Sequence, residues 1–269
     1  MNKLLEPHAS EFRQLIKRGA GTLDIHDRTS GKYAEEIEAF DELIDREVGR
    51  VQVHLNSFCK TLKAAGIKGS RALDLGCGTG ATTVAMALDK TLGFSELIGA
   101  DPNSLSLDAA RARMQSHGLT TSDLHFLKIA AGKPLPFADG YFDVVACVSV
   151  LEYIDDLNHR QAIIQEMIRV TKAGGSIVLI TPNPYRLRSY HTDEWFGDFR
   201  RLDGHPWSST RSQLASFMLP SCDVRFLGKE NLTVGLEKRL GKTGKLLGNF
   251  LPEQASLLLP WIKLVATKR

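Results

Sequence analysis

The sequence predicts an α/β protein, a doubly wound and mostly parallel sheet of seven strands. Three observations carry this. From residue 70 onward, short apolar runs alternate with stretches of helix length. The runs are apolar almost throughout, as strands covered by helices on both faces must be. The first run, "RALDLG", passes straight into a glycine-rich turn and then a helix, the junction expected of a βα unit.

Taken in order, residues 1–69 read as a polar, helical N-terminal unit. Ile37, Phe40, Leu43, Ile44, Val48 and Val51 recur at helical spacing, and the pattern stops at Gly66. The preceding "GAGTLDIHDRTSG" is loop-like, and the whole unit is expected to act as a lid. The main domain, 70–269, follows. "RALDLG" is the first strand and "ATTVAMALDKTL" a helix. "ELIGAD" is the second strand, and "SLSLDAARARMQSHG" a helix ending at Gly118. "DLHFLKIA" and "FDVVACVS" are the third and fourth strands. "RQAIIQEMIRVTKAGG" is a helix and "SIVLITPN" the fifth strand. Residues 182–221, rich in aromatics, Arg and His, break the alternation and read as a cap with a helix near 209–218. "CDVRFLGKE" and "WIKLVATKR" complete the sheet.

Composition narrows the function. The 269 residues suit one α/β domain with additions, and a net charge of +3 gives no clustered basic face for nucleic acid. Cys59, Cys77, Cys147 and Cys222 form no CxxC pair, so neither a zinc ribbon nor a disulfide framework is expected. The N-terminus lacks a signal-peptide core, and no apolar run reaches the roughly 20 residues of a membrane span. A cytoplasmic protein, monomeric or homodimeric, is the expectation.

The glycine loop "LDLGCGTG" (73–80) allows close backbone approach to a ligand, and the helix behind it presents unpaired amides. Gly76, Gly78 and Gly80 alone do not choose the ligand, because Gly76, Gly78 and Ala81 also meet a loose dinucleotide fingerprint. The acids are more telling. Asp74 sits inside an apolar strand, where a carboxylate is costly without a cationic partner such as an amino-acid ammonium. Asp101 ends the second strand roughly 20 residues on, placed to accept from the hydroxyls of a ribose. A ligand with a ribose at one end and an amino acid at the other is S-adenosylmethionine.

In these residues the chain resembles the class I S-adenosylmethionine-dependent methyltransferases. "LDLGCGTG" is similar to the family's first motif and "GADPNSLSLDAAR" to its second. "LPFADGYFDVVACVSVLEYIDD" resembles the block through the fourth strand, and "EMIRVTKAGGSIVLITPN" the block through the fifth. The resemblance implies S-adenosylmethionine as cofactor. It would be held by Asp74, Gly76, Cys77, Gly78 and Gly80 at the methionine end. Asp101 would take the ribose, Pro102 and the backbone of Ala130 and Ala131 the adenine, and Val148 and Ser149 would run beneath. Two departures stand out. Ala131 replaces an aspartate that often holds the adenine amino group, and Tyr153 stands where many relatives have the histidine of "L-E-H".

Methyl transfer is an in-line displacement, and a hydroxyl acceptor also needs a base. Candidates are His205 and His191 in the cap and Tyr153 after the fourth strand. No metal is expected, since His191, Asp193 and Glu194 lack a ligand spacing. The acceptor is expected to be a small molecule, first a hydroxyl of a glycan, lipid-linked or secondary-metabolite intermediate. N-methylation, or methylation of a phenol or quinone oxygen, stands as an alternative. Two other classes compete: an NAD-dependent oxidoreductase, and a non-catalytic relative that binds the cofactor. The basic amphipathic stretch 236–251 reads either as a surface helix or as a peripheral membrane contact.

Overall fold

The computed structural model describes residues 49–154, 156–184, 209–228, 240–244, 246, 247, 250, 259 and 261–269. Helix α1 (residues 49–64) contains a π-helical turn at Leu55–Cys59 and ends beside Gly66, as its pattern predicts. Val51, Phe58 and Leu62 on this helix are buried in the core. The remainder of the expected lid, residues 1–48, lies outside the described residues.

The strands are β1 (Arg71–Leu75), β2 (Glu96–Asp101), β3 (His125–Lys128), β4 (Phe142–Val148), β5 (Thr171–Pro182), β6 (Cys222–Leu227) and β7 (Trp261–Lys268). They form one sheet in the order β3-β2-β1-β4-β5-β7-β6. β1 to β5 are parallel, and β7 runs antiparallel to both its neighbours, β5 and β6. The seven mostly parallel strands are those the sequence predicts.

Alternate residues feed two cores. Ala72, Val144, Ala146, Val178 and Ile180 pack on one face with α1 and α2 (Ala81–Leu88). Leu73, Leu75, Val145, Cys147, Ile177 and Leu179 pack on the other with α4 (Leu157–Val170) and α5 (Arg211–Met218). Helices cover both faces of the central strands, so β1, β2 and β4 are apolar through their interiors and a buried acid among them stands out. A further helix, α3 (Ser104–Ser116), joins β2 to β3.

Two boundaries differ from the sequence reading. α2 stops at Leu88, because Asp89 leaves helical geometry and its carboxylate caps the short 3₁₀ turn Lys90–Leu92. α4 stops at Val170, ahead of the glycine pair. Thr171 is already extended, its hydroxyl donates to the Met167 carbonyl, and Lys268 Nζ on β7 donates to the carbonyls of Arg169 and Thr171. A lysine nearly a hundred residues away satisfies the helix end, and local pattern does not reveal it. The helix expected near 209–218 is α5, held by a capping box between Thr210 and Gln213.

Candidate functional site

The strand order reverses between β1 and β4, and in an open parallel sheet a crevice forms there at the carboxyl ends. Every described residue assigned to the cofactor from sequence lies at or beside this edge.

Asp74 is the polar exception in β1. It is 1 % exposed, and its Oδ2 accepts from the Thr83 hydroxyl of α2 at 2.6 Å. Burial is the main reason its carboxyl is pushed up to about 6, and the charge of Asp101 adds to the rise. The hydroxyl and backbone amide of Thr83, both neutral donors, do not fill a carboxylate's acceptor capacity, so the group can take a cation. Asp101 Oδ2 accepts from the Gly78 amide at 2.9 Å and Oδ1 from the Asn103 amide at 2.8 Å. Burial raises Asp101 as well, while those two amides oppose the rise. Before it touches any ligand, Asp101 therefore pins the glycine loop to the end of β2.

The loop is fixed at further points. The Gly76 and Cys77 amides both donate to the Ala100 carbonyl, at 2.7 and 3.1 Å. Buried Arg113 on α3 donates to the Thr79 hydroxyl at 3.0 Å. Gly76 adopts φ +74°, and a Cβ there would stand 2.3 Å from Cγ2 of Val150. Glycine is thus required twice at this position, by backbone conformation and by the side chain that fills the space. The Cys77 thiol is buried and pushed well up, chiefly by burial, which makes it a packing group.

Pro102 is exposed at the carboxyl end of β2. Ala130 and Ala131 are exposed just past β3, where the Ile129 amide donates to the Asp101 carbonyl. Val148 ends β4. Ser149 follows at φ +57°, its amide donating to the Ile180 carbonyl of β5 at 2.8 Å. A serine in the left-handed region is strained, and such strain gathers at functional sites. Tyr153 is half-buried in the turn Leu151–Tyr153. His205 and His191 lie outside the described residues.

Glu152, which stands between Leu151 and Tyr153 just after β4, is a residue that the motif pattern does not mark. It is 1 % exposed, and its Oε2 accepts from the Thr181 hydroxyl at the end of β5, 3.2 Å away. Burial pushes its carboxyl up to about 7. Its signal in "VSVLEYI" is the one that marks Asp74, an acid inside an apolar run. Two buried acids raised toward neutrality beside one crevice mark a site. Among the described residues, no group of three His, Cys, Asp or Glu is placed to hold a metal ion.

A family model described as a methyltransferase domain matches residues 73–179. The ubiquinone/menaquinone biosynthesis C-methyltransferase UbiE of Burkholderia cenocepacia is 31 % identical over 148 residues, covering 51 % of this chain and 57 % of that protein. The chain thus spans little more than half the length of this relative. Among solved structures, an S-adenosylmethionine-dependent methyltransferase from Mesorhizobium loti superposes with a TM-score of 0.52 at 17 % identity, covering 76 % of this chain and 92 % of that one. The [4+2]-cyclase SpnF superposes with a TM-score of 0.51 at 19 % identity, covering 97 % and 95 %. At these identities the structural likeness shows the fold alone, and a protein titled a cyclase shares it.

Proposed function

We propose that this chain is a class I S-adenosylmethionine-dependent methyltransferase and transfers a methyl group from S-adenosylmethionine to a small-molecule acceptor, a reading supported by the match of residues 73–179 to a methyltransferase domain. The observation that carries the reading is the pair Asp74 and Asp101 on either side of one glycine loop. Asp74 would pair with the ammonium of the methionine part. Asp101 would accept from the ribose hydroxyls while still holding the Gly78 amide. The residues fit the group: two buried carboxylates, Asp74 and Asp101, flank a loop that has no side chain at Gly76. The bound sulfonium supplies the methyl group. The chain's own part is to fix the acceptor in line and to exclude water.

Calorimetry tests the cofactor. S-adenosylmethionine and S-adenosylhomocysteine should bind and NAD should not. Binding of NAD without either sulfur ligand would overturn the reading, and Asp74 would then have no partner. Release of S-adenosylhomocysteine on turnover separates a methyltransferase from a cofactor-binding relative with other chemistry, the case that the cyclase neighbour raises.

For the acceptor we infer a lipid-linked or similarly apolar small molecule, methylated at a hydroxyl. A second reading has its own support, since the curated relative is named for methylation at carbon in quinone biosynthesis. Turnover with a deuterated methyl donor, followed by NMR of the product, distinguishes oxygen, nitrogen and carbon. The described cysteines are buried free thiols, which suits a reducing compartment, and the cytoplasm is part of the same proposal.

A hydroxyl acceptor must lose its proton. Glu152 joins His205, His191 and Tyr153 as a candidate acceptor of it. With substrate in hand, kcat should rise with pH through about 7 as Glu152 ionises. Glu152→Gln should lower kcat roughly 100-fold and flatten that rise, with donor affinity unchanged. An unaltered profile would move the role to the cap histidines.

A further inference from the structure

Large apolar side chains are seldom clustered in the open on a protein that meets only water. Here Leu240, Leu246, Leu247 and Phe250 are 54 %, 58 %, 50 % and 80 % exposed, all within one short stretch. Elsewhere among the described residues, only Val53, Leu157 and Leu219 are comparably bare, and they are scattered. Residues 240–244, 246, 247 and 250 are helical. Among the described residues of this stretch, Leu240, Leu247 and Phe250 fall on one side at a helical period and Lys242 on another, and the sequence adds Lys238 and Lys245. With Arg239 there are four cations against the single acid Glu237. An apolar stripe flanked by lysines is the chemistry of a helix lying in an anionic membrane interface.

The sheet says where the connection that carries this stretch begins and ends. Trp261 opens β7 opposite Pro182, the last residue of β5, and Leu227 closes β6 opposite Lys263. The connection between β6 and β7 therefore leaves and returns at the carboxyl edge, the edge that holds Asp74, Asp101, Ser149 and Glu152. Its end is tied there, because Asn183 Nδ2 just past β5 donates to the Leu259 carbonyl at 2.7 Å. Among the described residues, no helix is long and apolar enough to cross a membrane.

We propose that residues 236–251 dock this edge of the protein onto an anionic lipid bilayer, the apolar side chains entering the interface and the lysines meeting headgroup phosphates. The mouth of the site then faces the membrane, where a lipid-linked acceptor is delivered. Delivery rests on the methyl-transfer reading; docking does not, and it is measured without a methyl donor.

The test is cosedimentation of the full chain with vesicles of phosphatidylcholine alone and of equimolar phosphatidylcholine and phosphatidylglycerol. The protein should pellet with the anionic vesicles, weakly or not at all with the neutral ones, and less as salt rises. Leu247→Ser combined with Phe250→Ser should weaken binding at least tenfold without lowering the thermal midpoint, since both side chains already face water. Lys242→Gln should weaken it about fivefold. Equal pelleting with both vesicle types, no pelleting, or variants that bind like the wild type would each overturn the proposal. So would a dimer that the serine variant dissolves while vesicles go unbound, because the face would then belong to a second copy of the chain.

Discussion

Asp74→Asn should weaken binding of S-adenosylhomocysteine by roughly 10–100-fold while making the ligand-free protein more stable. Both effects come from one carboxylate. In the free protein Asp74 is buried, and its carboxyl is pushed up to about 6 by desolvation and by Asp101. The folded value lies above that of an exposed aspartate, so folding favours the protonated form. The penalty on the anion is absent at acid pH and fully present once pH has risen past 6, where it amounts to about 3 kcal/mol. Asn keeps an oxygen for the Thr83 hydroxyl and carries no charge. Part of that penalty is lifted, and the thermal midpoint should rise by several degrees at neutral pH. The ligand's ammonium, however, loses a charge-assisted hydrogen bond of about 1.5–3 kcal/mol.

Two further measurements make this specific. Methylthioadenosine shares the nucleoside and lacks the amino-acid end, so its affinity should not change in the variant. In the wild type, affinity for S-adenosylhomocysteine should be level above pH 6 and fall below it as Asp74 takes up a proton. The variant's profile should be flat across the same range. Equal affinity of wild type and Asp74→Asn would dismiss Asp74 as the ammonium partner, whatever happened to stability.

That Asp74 could be singled out in the sequence at all follows from the sheet. Strands buried on both faces are near-continuous apolar runs, so an acid deep within one is visible without coordinates. Glu152 obeys the same rule but stands just past β4 in a short turn, where an acid is ordinarily exposed and so carries little signal. The partners of these acids were not legible. Thr83 lies on the following helix, Thr181 on another strand, and nothing local ties either to its acid. Asp101 was expected from strand spacing to meet a ribose. That its two oxygens already hold the Gly78 and Asn103 amides is a tertiary fact, as is the Arg113 contact that pins Thr79. The sequence pattern thus singles out the two acids, while the bonds that tie the glycine loop to its neighbours come from packing.

Gly76→Ala should cost roughly 3–4 kcal/mol, lower the thermal midpoint by about 10 °C and abolish donor binding. Part of the cost is conformational, since alanine at φ +74° is disfavoured by about 1–2 kcal/mol. The rest is steric. The added Cβ would lie 2.3 Å from Cγ2 of Val150 and 2.9 Å from Cγ1. Rotating the valine exchanges one methyl for the other and gives no relief, so the backbone of the loop or of the turn after β4 must shift. Either shift pulls apart the two walls of the crevice, and donor binding fails with it. Gly118→Ala is the control: φ is +69°, but nothing stands within 4 Å, so only the conformational part should appear. Val150→Ala made in the Gly76→Ala background should recover the steric part and not the conformational one, a coupling of about 1–2 kcal/mol in a double-mutant cycle. If Gly76→Ala costs no more than Gly118→Ala, the loop does not rest against Val150 and the crevice is wider than its geometry here. If the cycle shows full coupling, Val150 sets how closely the fourth strand's turn approaches the glycine loop.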